Sequence, residues 1–279
     1  MPSYCIVRYI GSKNRMAPLI AERLHATGRD TLVDVFGGSA AVTLNTGFNK
    51  RIYNDIDGDM VNLFRVLADP PLRRKLLKIL RWQPLSRRIY TDDYKGYRAN
   101  MFSFSHLKDP VARARAMLYR SLLTFGGKMR SGGFQVSTAD RPYIKELGKY
   151  QSILRTIVEI GEFFRETIIE NLHYQKCISI YGKLRSTVLF IDPPYPELQR
   201  YYSCDFTEAD HMFLAHQLIE TPAPVVCTFY DCDTVRRLYP EKLWDYKVFN
   251  RTKNSSTRIY GHKKKKVAEL ILTKREVVY

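Results

Sequence analysis

Short, mostly apolar runs alternate with longer stretches of helical periodicity along this chain of 279 residues. Strands are predicted at residues 31–36, 51–54, 167–170, 187–191, 225–229, 242–251 and 267–273. Helices are predicted between some of them, at residues 40–47, 58–68 and 206–219. Strands that alternate with helices are typical of a parallel sheet covered by helices, so the pattern predicts an α/β fold.

One segment, residues 70–165, interrupts this alternation. Its pattern is helical and basic, with helices predicted at 72–82, 87–104 and 111–125 and a glycine-rich turn at 125–134. No strand pattern recurs until residue 167. We therefore predict two domains: a sheet domain formed by residues 1–69 and 166–279, and an inserted helical domain formed by residues 70–165.

The net charge adds a first indication of a partner. The chain has 45 Lys and Arg residues against 28 Asp and Glu residues, which leaves a charge of +17 and a pI of about 9.7. Such a surface attracts polyanions, and its affinity for them falls as salt rises. The charge favours nucleic acid as a partner, although ribosomal-type and membrane-surface proteins share this bias.

Other classes of protein are disfavoured by features that the sequence lacks. The five cysteines form no CxxC pair and the six histidines form no HExxH motif, so neither a disulfide framework nor a metal site is predicted. No apolar run approaches the roughly 18 residues that span a membrane, and the N-terminus lacks the order of a signal peptide. We expect a cytoplasmic protein of a prokaryote or its phage, without a metal ion or a membrane partner.

The turn after the first predicted strand is the first motif with chemical content. Asp34 and Phe36 precede two glycines there, the second of which is Gly38, and Asp55 ends the next strand. Ligands of parallel sheets bind beyond the carboxyl ends of the strands, where glycines let the backbone approach and an acid can bind a ribose diol. A packing turn and an acid that only favours a helix N-terminus are the alternatives. Together the two features favour a nucleoside pocket.

The second motif is the tetrapeptide Asp192-Pro193-Pro194-Tyr195, which directly follows a buried strand. Two prolines make a stiff corner without N–H groups, so Asp192 and the Pro193 carbonyl can both accept from one amino group. An aromatic amine is a poor nucleophile because its lone pair is delocalised, and two acceptors on its hydrogens favour a pyramidal, reactive nitrogen. Tyr195 could stack on the base. The alternative is an ordinary turn at a strand end.

These residues resemble the motifs of the Dam-like (D12-class) adenine-N6 DNA methyltransferases, over nearly the whole chain and in the family's order. The turn at 34–41, the acid motif with Asp55 and Ile56, and the tetrapeptide match most clearly. The segment with Tyr9 and Lys13 is similar to the family's N-terminal motif. Residues 202–211 and 268–271 also look like the family.

The resemblance implies a Rossmann-like methyltransferase sheet with S-adenosylmethionine (SAM) as methyl donor and double-stranded DNA as substrate. It implies that the tetrapeptide holds a flipped adenine, that the insert recognises the target sequence, and that the protein acts as a monomer. The predicted cofactor-binding residues are Tyr9, Lys13, Asp34, Phe36, Gly38, Asp55, Ile56 and Asp192.

Three positions depart from the family's pattern. Ala40 stands where the family usually has the second glycine of its turn, and one methyl group in a first helical turn is expected to be tolerated. His173 and Tyr174 stand where the family often has Asp-Phe, and His173 could still stack on or bond to the cofactor's adenine. Tyr9 replaces a Trp of close relatives, which should preserve stacking.

A methyltransferase must flip its target base out of the duplex, and phosphate contacts help to offset the cost of unstacking. The predicted DNA-binding residues are Arg113, Arg115, Arg120, Lys128, Arg130, Lys263 and Lys264. The first five belong to the insert, and the two lysines belong to a basic loop between the last two strands. A solvated basic face is the alternative for the insert, and protection of a strand edge is the alternative for the lysines.

Several related functions stay open at this point. N4-cytosine methylation also uses a proline-rich tetrapeptide, although Asp192 at its head favours adenine. A catalytically silent DNA-binding protein on the same fold and an RNA methyltransferase are further alternatives. Methylation at cytosine C5 is disfavoured because it needs a cysteine that usually follows proline, and no Pro-Cys pair occurs.

Overall fold

The computed structural model describes residues 4–7, 11–124, 129–130, 132–135, 145–195, 206–252 and 266–275, which form seven strands and ten helices. The strands are β1 Thr31–Asp34, β2 Lys50–Asn54, β3 Ile168–Glu170, β4 Thr187–Ile191, β5 Val225–Tyr230, β6 Trp244–Thr252 and β7 Lys266–Lys274. The helices are α1 Ala17–His25, α2 Ala41–Asn45, α3 Gly58–Ala68, α4 Pro70–Trp82, α5 Arg87–Ala99, α6 Pro110–Leu123, α7 Lys145–Arg165, α8 Tyr174–Tyr181, α9 Glu208–Glu220 and α10 Asp233–Leu238.

All seven strands belong to one sheet, in the order β3-β2-β1-β4-β5-β7-β6. The first five pair in parallel, whereas β7 runs antiparallel between β5 and β6. The order of the strands reverses between β1 and β4, and such a reversal opens a crevice at the carboxyl ends of the strands. This topology confirms the predicted α/β, Rossmann-like sheet.

Side chains of the central strands alternate between the two faces of the sheet. In β4, Leu189 and Ile191 pack with α8 and α9 on one face, whereas Val188 and Phe190 pack with α1 on the other. All five residues of β4 are buried, as are all four of β1. A strand that is buried on both faces needs a continuous apolar run, and this explains the pattern in the sequence.

The helices of the 70–165 segment pack on α3 at the β2 side of the sheet. Phe164 of α7 lies edge-on to Tyr53 of β2 and is stacked on Phe64 of α3, with ring centroids 5.8 and 4.2 Å apart. Buried residues of α3, α4, α5, α6 and α7 form one apolar cluster. The division into two domains stays a prediction, because this cluster joins the helical segment to the sheet's own helix α3.

Most predicted elements match the structure to within a few residues. The predicted helix at 87–104 ends earlier, at Ala99, because Met101 and Phe102 have positive φ angles of 49° and 61°. Thr207 caps α9 in a capping box with Asp210, as its sequence predicts. Helices α1, α7, α8 and α10 were not predicted individually. In the described part of the chain, no helix is both long enough and apolar enough to cross a membrane.

Candidate active site

Three acids meet at the carboxyl edge of the sheet. Asp34 is the last residue of β1, Asp55 follows β2, and Asp192 follows β4. β1 lies between the other two strands, with Asp34 in register with Tyr53 on one side and Phe190 on the other. Residues far apart in sequence therefore become neighbours because parallel strands end at the same edge.

A cavity of about 1030 Å³, counted with the space at its open mouth, lies at this edge. It is lined by every predicted cofactor-binding residue that the structure describes: Lys13, Asp34, Phe36, Gly38, Asp55, Ile56 and Asp192. Tyr9 lies outside the described residues. The roles of these residues in binding stay predictions.

The glycine turn after β1 has its form because the chain doubles back against β2. A side-chain Cβ at Gly37 would lie 2.2 Å from the ring of Tyr53, so only glycine fits there. The Gly37 N–H donates to the Asn54 carbonyl at 2.8 Å. Gly38 has a φ of 47° and Ala40 a φ of 57°, both in the left-handed region. Ala40 therefore adopts a conformation that glycine would adopt more easily.

Asp55 is held firmly by backbone donors. Its Oδ2 accepts from the Gly38 N–H at 2.6 Å, and its Oδ1 accepts from the Asp57 N–H at 2.7 Å. Burial raises the pKa of Asp55, and the backbone hydrogen bonds oppose this rise. Each carboxylate oxygen has a second acceptor site. The orientation of Asp55 toward the cavity therefore leaves acceptor capacity for a diol.

Asp34 has one satisfied and one unsatisfied oxygen. Its Oδ2 accepts from the Thr43 hydroxyl at 2.6 Å and from the Thr43 N–H at 3.3 Å. Its Oδ1 is buried and receives no hydrogen bond from the residues that the structure describes. Burial raises the pKa of Asp34 to about 7, and the negative charges of Asp192 and Asp55 add to the rise. A buried acceptor without a partner at a cavity wall is suited to a donor from a ligand.

Aromatic side chains form one wall of the cavity. Phe36 stacks on Tyr174, with ring centroids 5.6 Å apart, and Phe206 lies edge-on to Phe36 at 5.9 Å. His173 also lines the cavity, and its ring lies 4.5 Å from that of Tyr174. Sequence reasoning left Tyr174 and Phe206 out of the predicted set. Phe206 lies in a segment that looks like the family, and Tyr174 stands at a position where the family often has another aromatic residue, Phe.

Asp192 is anchored by one carboxylate oxygen. Lys13 Nζ lies 2.9 Å from Oδ1, and the Thr228 hydroxyl donates to the same Oδ1 at 2.7 Å. Oδ2 receives no hydrogen bond from the described residues. Burial raises the pKa of Asp192, whereas the charge of Lys13 lowers it. The carboxyl group is thus fixed in orientation with one oxygen available to a ligand in the cavity.

A second carboxylate, Glu269 of β7, joins the same buried network. Its Oε1 lies 3.1 Å from Lys13 Nζ and accepts from the Tyr195 hydroxyl at 2.8 Å. The Tyr195 ring is 2% exposed and packs against Phe229 and Tyr230. In this structure Tyr195 is therefore turned away from solvent, and its predicted stacking on a base stays a prediction. Sequence reasoning assigned no role to Glu269 or Thr228.

Two of the arginines predicted to contact DNA are already bound to acids. Arg113 forms an ion pair with the buried Asp59 of α3, and its side chain is 22% exposed. Arg115 binds Asp93 of α5 through both of its terminal nitrogens, and its side chain is 15% exposed. Their guanidinium groups therefore join helices to one another. Direct contact of either residue with DNA stays a prediction.

The structure corrects the prediction for Arg120. It was predicted to contact DNA, but its side chain is 1% exposed and lies among three tyrosine rings. Its guanidinium carbon is 5.1, 4.0 and 5.2 Å from the ring centroids of Tyr90, Tyr94 and Tyr97. Its Nε donates to the Met129 carbonyl at 2.7 Å. Helix α6 turns this residue inward, so it is a structural residue in this arrangement and not a surface cation.

Of the four remaining residues that were predicted to bind DNA, the structure describes only Arg130. Arg130 is half-buried, and its guanidinium carbon lies 5.0 Å from the ring centroid of Phe102. Lys128, Lys263 and Lys264 lie outside the described residues. These four assignments stay predictions.

The sheet order, the antiparallel β7 and the cavity at the ends of β1, β2 and β4 together define a Rossmann-like methyltransferase. A sequence model of the D12 class N6 adenine-specific DNA methyltransferase family matches residues 9–266. The chain therefore belongs to this family. The predicted family, the prediction of an enzyme and that of adenine-N6 methylation of DNA are confirmed.

Individual relatives are similar over most of their length. The chain is 26% identical to the DNA adenine methylase of Serratia marcescens over 245 residues, which is 80% of this chain and 83% of that protein. It is 26% identical to the DNA adenine methylase of Salmonella typhi over 273 residues, 91% of this chain and 90% of that protein. For the DNA adenine methylase of Vibrio cholerae the identity is 27% over 263 residues, 86% and 85%.

Proposed function

We propose that the enzyme binds SAM in the cavity at the sheet edge and methylates N6 of an adenine that has left double-stranded DNA. The observation that carries this proposal is the orientation of Asp192. Lys13 and Thr228 hold its Oδ1, and the described residues leave Oδ2 without a hydrogen bond. The carboxylate is therefore fixed before substrate binds, which avoids reorganisation during the reaction.

The tetrapeptide acts as a clamp on the amino group. Asp192 accepts a hydrogen bond from one N–H of the amine, and the Pro193 carbonyl accepts a hydrogen bond from the other. Neither Pro193 nor Pro194 has an N–H group, so no donor of the corner competes for the nitrogen's lone pair. The lone pair is drawn out of conjugation and points toward the methyl donor. After transfer the positively charged nitrogen releases one proton to water, so the transfer step itself needs no histidine base.

The residues of the cavity fit SAM, which when bound supplies a methyl group on a positively charged sulfur. Four acids line the cavity with one lysine, so its charge suits a cationic ligand: Asp34, Asp55, Asp192 and Asp210 surround it with Lys13. The unpartnered Oδ1 of Asp34 can accept from an ammonium group, and Asp55 can accept from the ribose. Phe36, Tyr174 and Phe206 offer aromatic faces for an adenine ring.

The helical segment 70–165 is proposed to recognise the target sequence, with the protein acting as a monomer. Flipping a base costs a few kcal/mol, which contacts to the phosphates can offset. The net charge of +17 supports such contacts. Exposed arginines of α4 and α5, among them Arg81, Arg88 and Arg98, are available in addition to those predicted from the sequence.

Incubation with SAM labelled in its methyl group, followed by digestion of the DNA to nucleosides, tests the proposal. We expect label in N6-methyldeoxyadenosine, and we expect Asp192→Ala to abolish it while DNA binding and the melting temperature survive. Label in N4-methyldeoxycytidine would contradict the assigned base. Turnover of Asp192→Ala within tenfold of the wild type would contradict the clamp.

A further inference from the structure

The clamp does not use Glu269, although this residue is among the most deeply buried charges of the molecule. It is 1% exposed, and Lys13 beside it is 3% exposed. Glu269 Oε1 contacts both Lys13 Nζ and the Tyr195 hydroxyl, at 3.1 and 2.8 Å. A buried carboxylate is costly unless it is paired, so its presence here calls for a function beyond packing.

Within the described residues of this network, two carboxylates contact one ammonium group. Lys13 contributes +1, and Asp192 and Glu269 each contribute −1. With Asp192 as its one acidic partner, the Lys13 ammonium would form a neutral pair and draw electron density from the clamp. Because Lys13 Nζ lies within about 3 Å of both carboxylates, its charge is shared between them.

We propose that Glu269 is a positioning residue that keeps Asp192 a strong hydrogen-bond acceptor by sharing the charge of Lys13. The same carboxylate holds the hydroxyl of Tyr195 and so fixes the far end of the tetrapeptide. Its own oxygens make no contact with the amino group. This inference rests on the proposed role of Asp192 as the clamp on the amine.

The protonation behaviour of Asp192 agrees with this arrangement. Burial raises the pKa of Asp192, the charge of Lys13 lowers it, and the charge of Glu269 raises it again. A carboxylate with a higher pKa accepts hydrogen bonds more strongly. Loss of the Glu269 charge should therefore lower the pKa of Asp192 and weaken its hold on the amine, even where the shape of the site is unchanged.

Two acid–amide pairs of nearly equal shape test the inference, since each amide removes the negative charge and has an NH2 group in place of one carboxylate oxygen. Wild-type Glu269 is compared with Glu269→Gln, and Glu269→Asp is compared with Glu269→Asn. We expect the acid of each pair to have a kcat at least tenfold above that of its amide, with Kd for SAM within about threefold. If Glu269 only fills space and accepts from Tyr195, Glu269→Gln would be nearly as active as the wild type and Glu269→Asp less active.

The pH dependence of kcat provides a readout that a purely structural role would not move. Asp192 works as the carboxylate, so activity falls as pH drops through its pKa, and the acidic limb of Glu269→Gln should lie at lower pH than that of the wild type. Glu220→Gln makes the same chemical change on the exposed face of α9, where Glu220 pairs with His216, and should leave kcat and its pH profile unchanged.

The outcomes distinguish this inference about Glu269 from the proposed role of Asp192 as the clamp on the amine. Near-normal turnover of Asp192→Ala would overturn the clamp itself. Loss of activity in Asp192→Ala together with equal kcat values within both pairs at position 269 would overturn only the inference. If Glu269→Gln does not fold, as judged by its melting curve, the pair Glu269→Asp and Glu269→Asn gives the same comparison.

Discussion

The carboxyl edge of the sheet and the helical segment 70–165 both concentrate charged side chains, but they use them in opposite ways. At the sheet edge, Asp34 and Asp192 each keep one oxygen that receives no hydrogen bond from the described residues. In the helical segment, Arg113 and Arg115 are bound to acids of neighbouring helices, and Arg120 is enclosed by tyrosines.

The difference shows how a functional charge is distinguished from a structural one. A structural charge has its partners within the protein, because an unpaired buried charge destabilises the fold. A functional charge at a binding site is left partly unsatisfied, and its missing partner is supplied by the ligand. In both regions the sequence shows only that charged residues are present, so the contacts that the fold supplies to each charge are the informative observation.

The largest expected effect concerns the interior of the helical segment. Arg120→Ala should lower the free energy of unfolding by about 3 to 5 kcal/mol, because it leaves a cavity between three tyrosines and frees the Met129 carbonyl. Urea denaturation measures the change. Arg81→Ala, an exposed position on α4, should stay within about 0.5 kcal/mol of the wild type. A similar small change at Arg120 would remove the contrast between the two regions.

The next effect concerns pH and stability at the sheet edge. The pKa of Asp34 is about 7 in the fold and near 3.8 in the unfolded chain, so the folded state binds more protons between these values. The contribution of protonated Asp34 to the free energy of unfolding is fully present below pH 4 and is lost as pH rises through 7. Asparagine at position 34 mimics the neutral acid. Between pH 4 and 8, the free energy of unfolding of Asp34→Asn should therefore fall by about 2 to 3 kcal/mol less than that of the wild type.

That figure lies below the roughly 4 kcal/mol of the full shift, because neighbouring carboxyls share protons with Asp34. Chemical denaturation at several pH values provides the measurement. If the wild type and Asp34→Asn lose stability equally between pH 4 and 8, the buried oxygen of Asp34 is satisfied in solution, and the sheet edge does not differ from the helical segment in this respect.

A smaller effect is expected on cofactor binding. Asp55→Asn should weaken the binding of SAM about thirtyfold, or about 2 kcal/mol, because an amide replaces one of the two acceptor oxygens that face the turn and the ribose. Calorimetric titration measures Kd. Asp57→Asn is the control, because it removes a charge two residues away from Asp55 and outside the cavity lining. The asparagine can still cap α3, so Kd should change less than threefold. Equal losses of affinity in both variants would show that Asp55 supports the fold and does not bind the ribose.

The smallest effect concerns the backbone of the glycine turn. Ala40→Gly should stabilise the fold by about 0.5 kcal/mol, because relief of roughly 1 kcal/mol at the positive φ exceeds the entropic cost of glycine. The same change at Ala112, inside α6, should destabilise by about 1 kcal/mol. Thermal melting distinguishes the two signs, and a loss of stability at both positions would show that Ala40 is not strained.

The sequence predicted the sheet edge well because strand ends are encoded locally. Strand patterns that stop at an acid mark where Asp55 and Asp192 follow the sheet, and parallel pairing then brings such ends together. The face of a helix is harder to predict when the whole segment is basic. Arg113, Arg115 and Arg120 share one helix, and their sequence did not reveal that Asp59, Asp93 and three tyrosines would approach them.

Glu269 and Thr228 show the second limit. They lie on strands whose apolar runs were predicted, but the contact of Thr228 depends on the pairing of β4 with β5, and those of Glu269 depend on β7 lying antiparallel beside β5. That placement brings Glu269 to Lys13 and Tyr195 from a distant part of the sequence. Local patterns contain no information about such a partner, because the interaction depends on strand order and not on spacing.

The sequence by itself therefore determined the class of fold, the family and the residues at the ends of the central strands, since periodicity and short motifs are local properties. Only the tertiary structure decided which charges are left for a ligand. Asp192 emerges as a fixed acceptor because Lys13 and Thr228 hold one of its oxygens, and Arg120 emerges as an interior residue because tyrosines surround it. Burial and hydrogen-bond satisfaction arise from packing between distant segments, and this is the physical reason for the division.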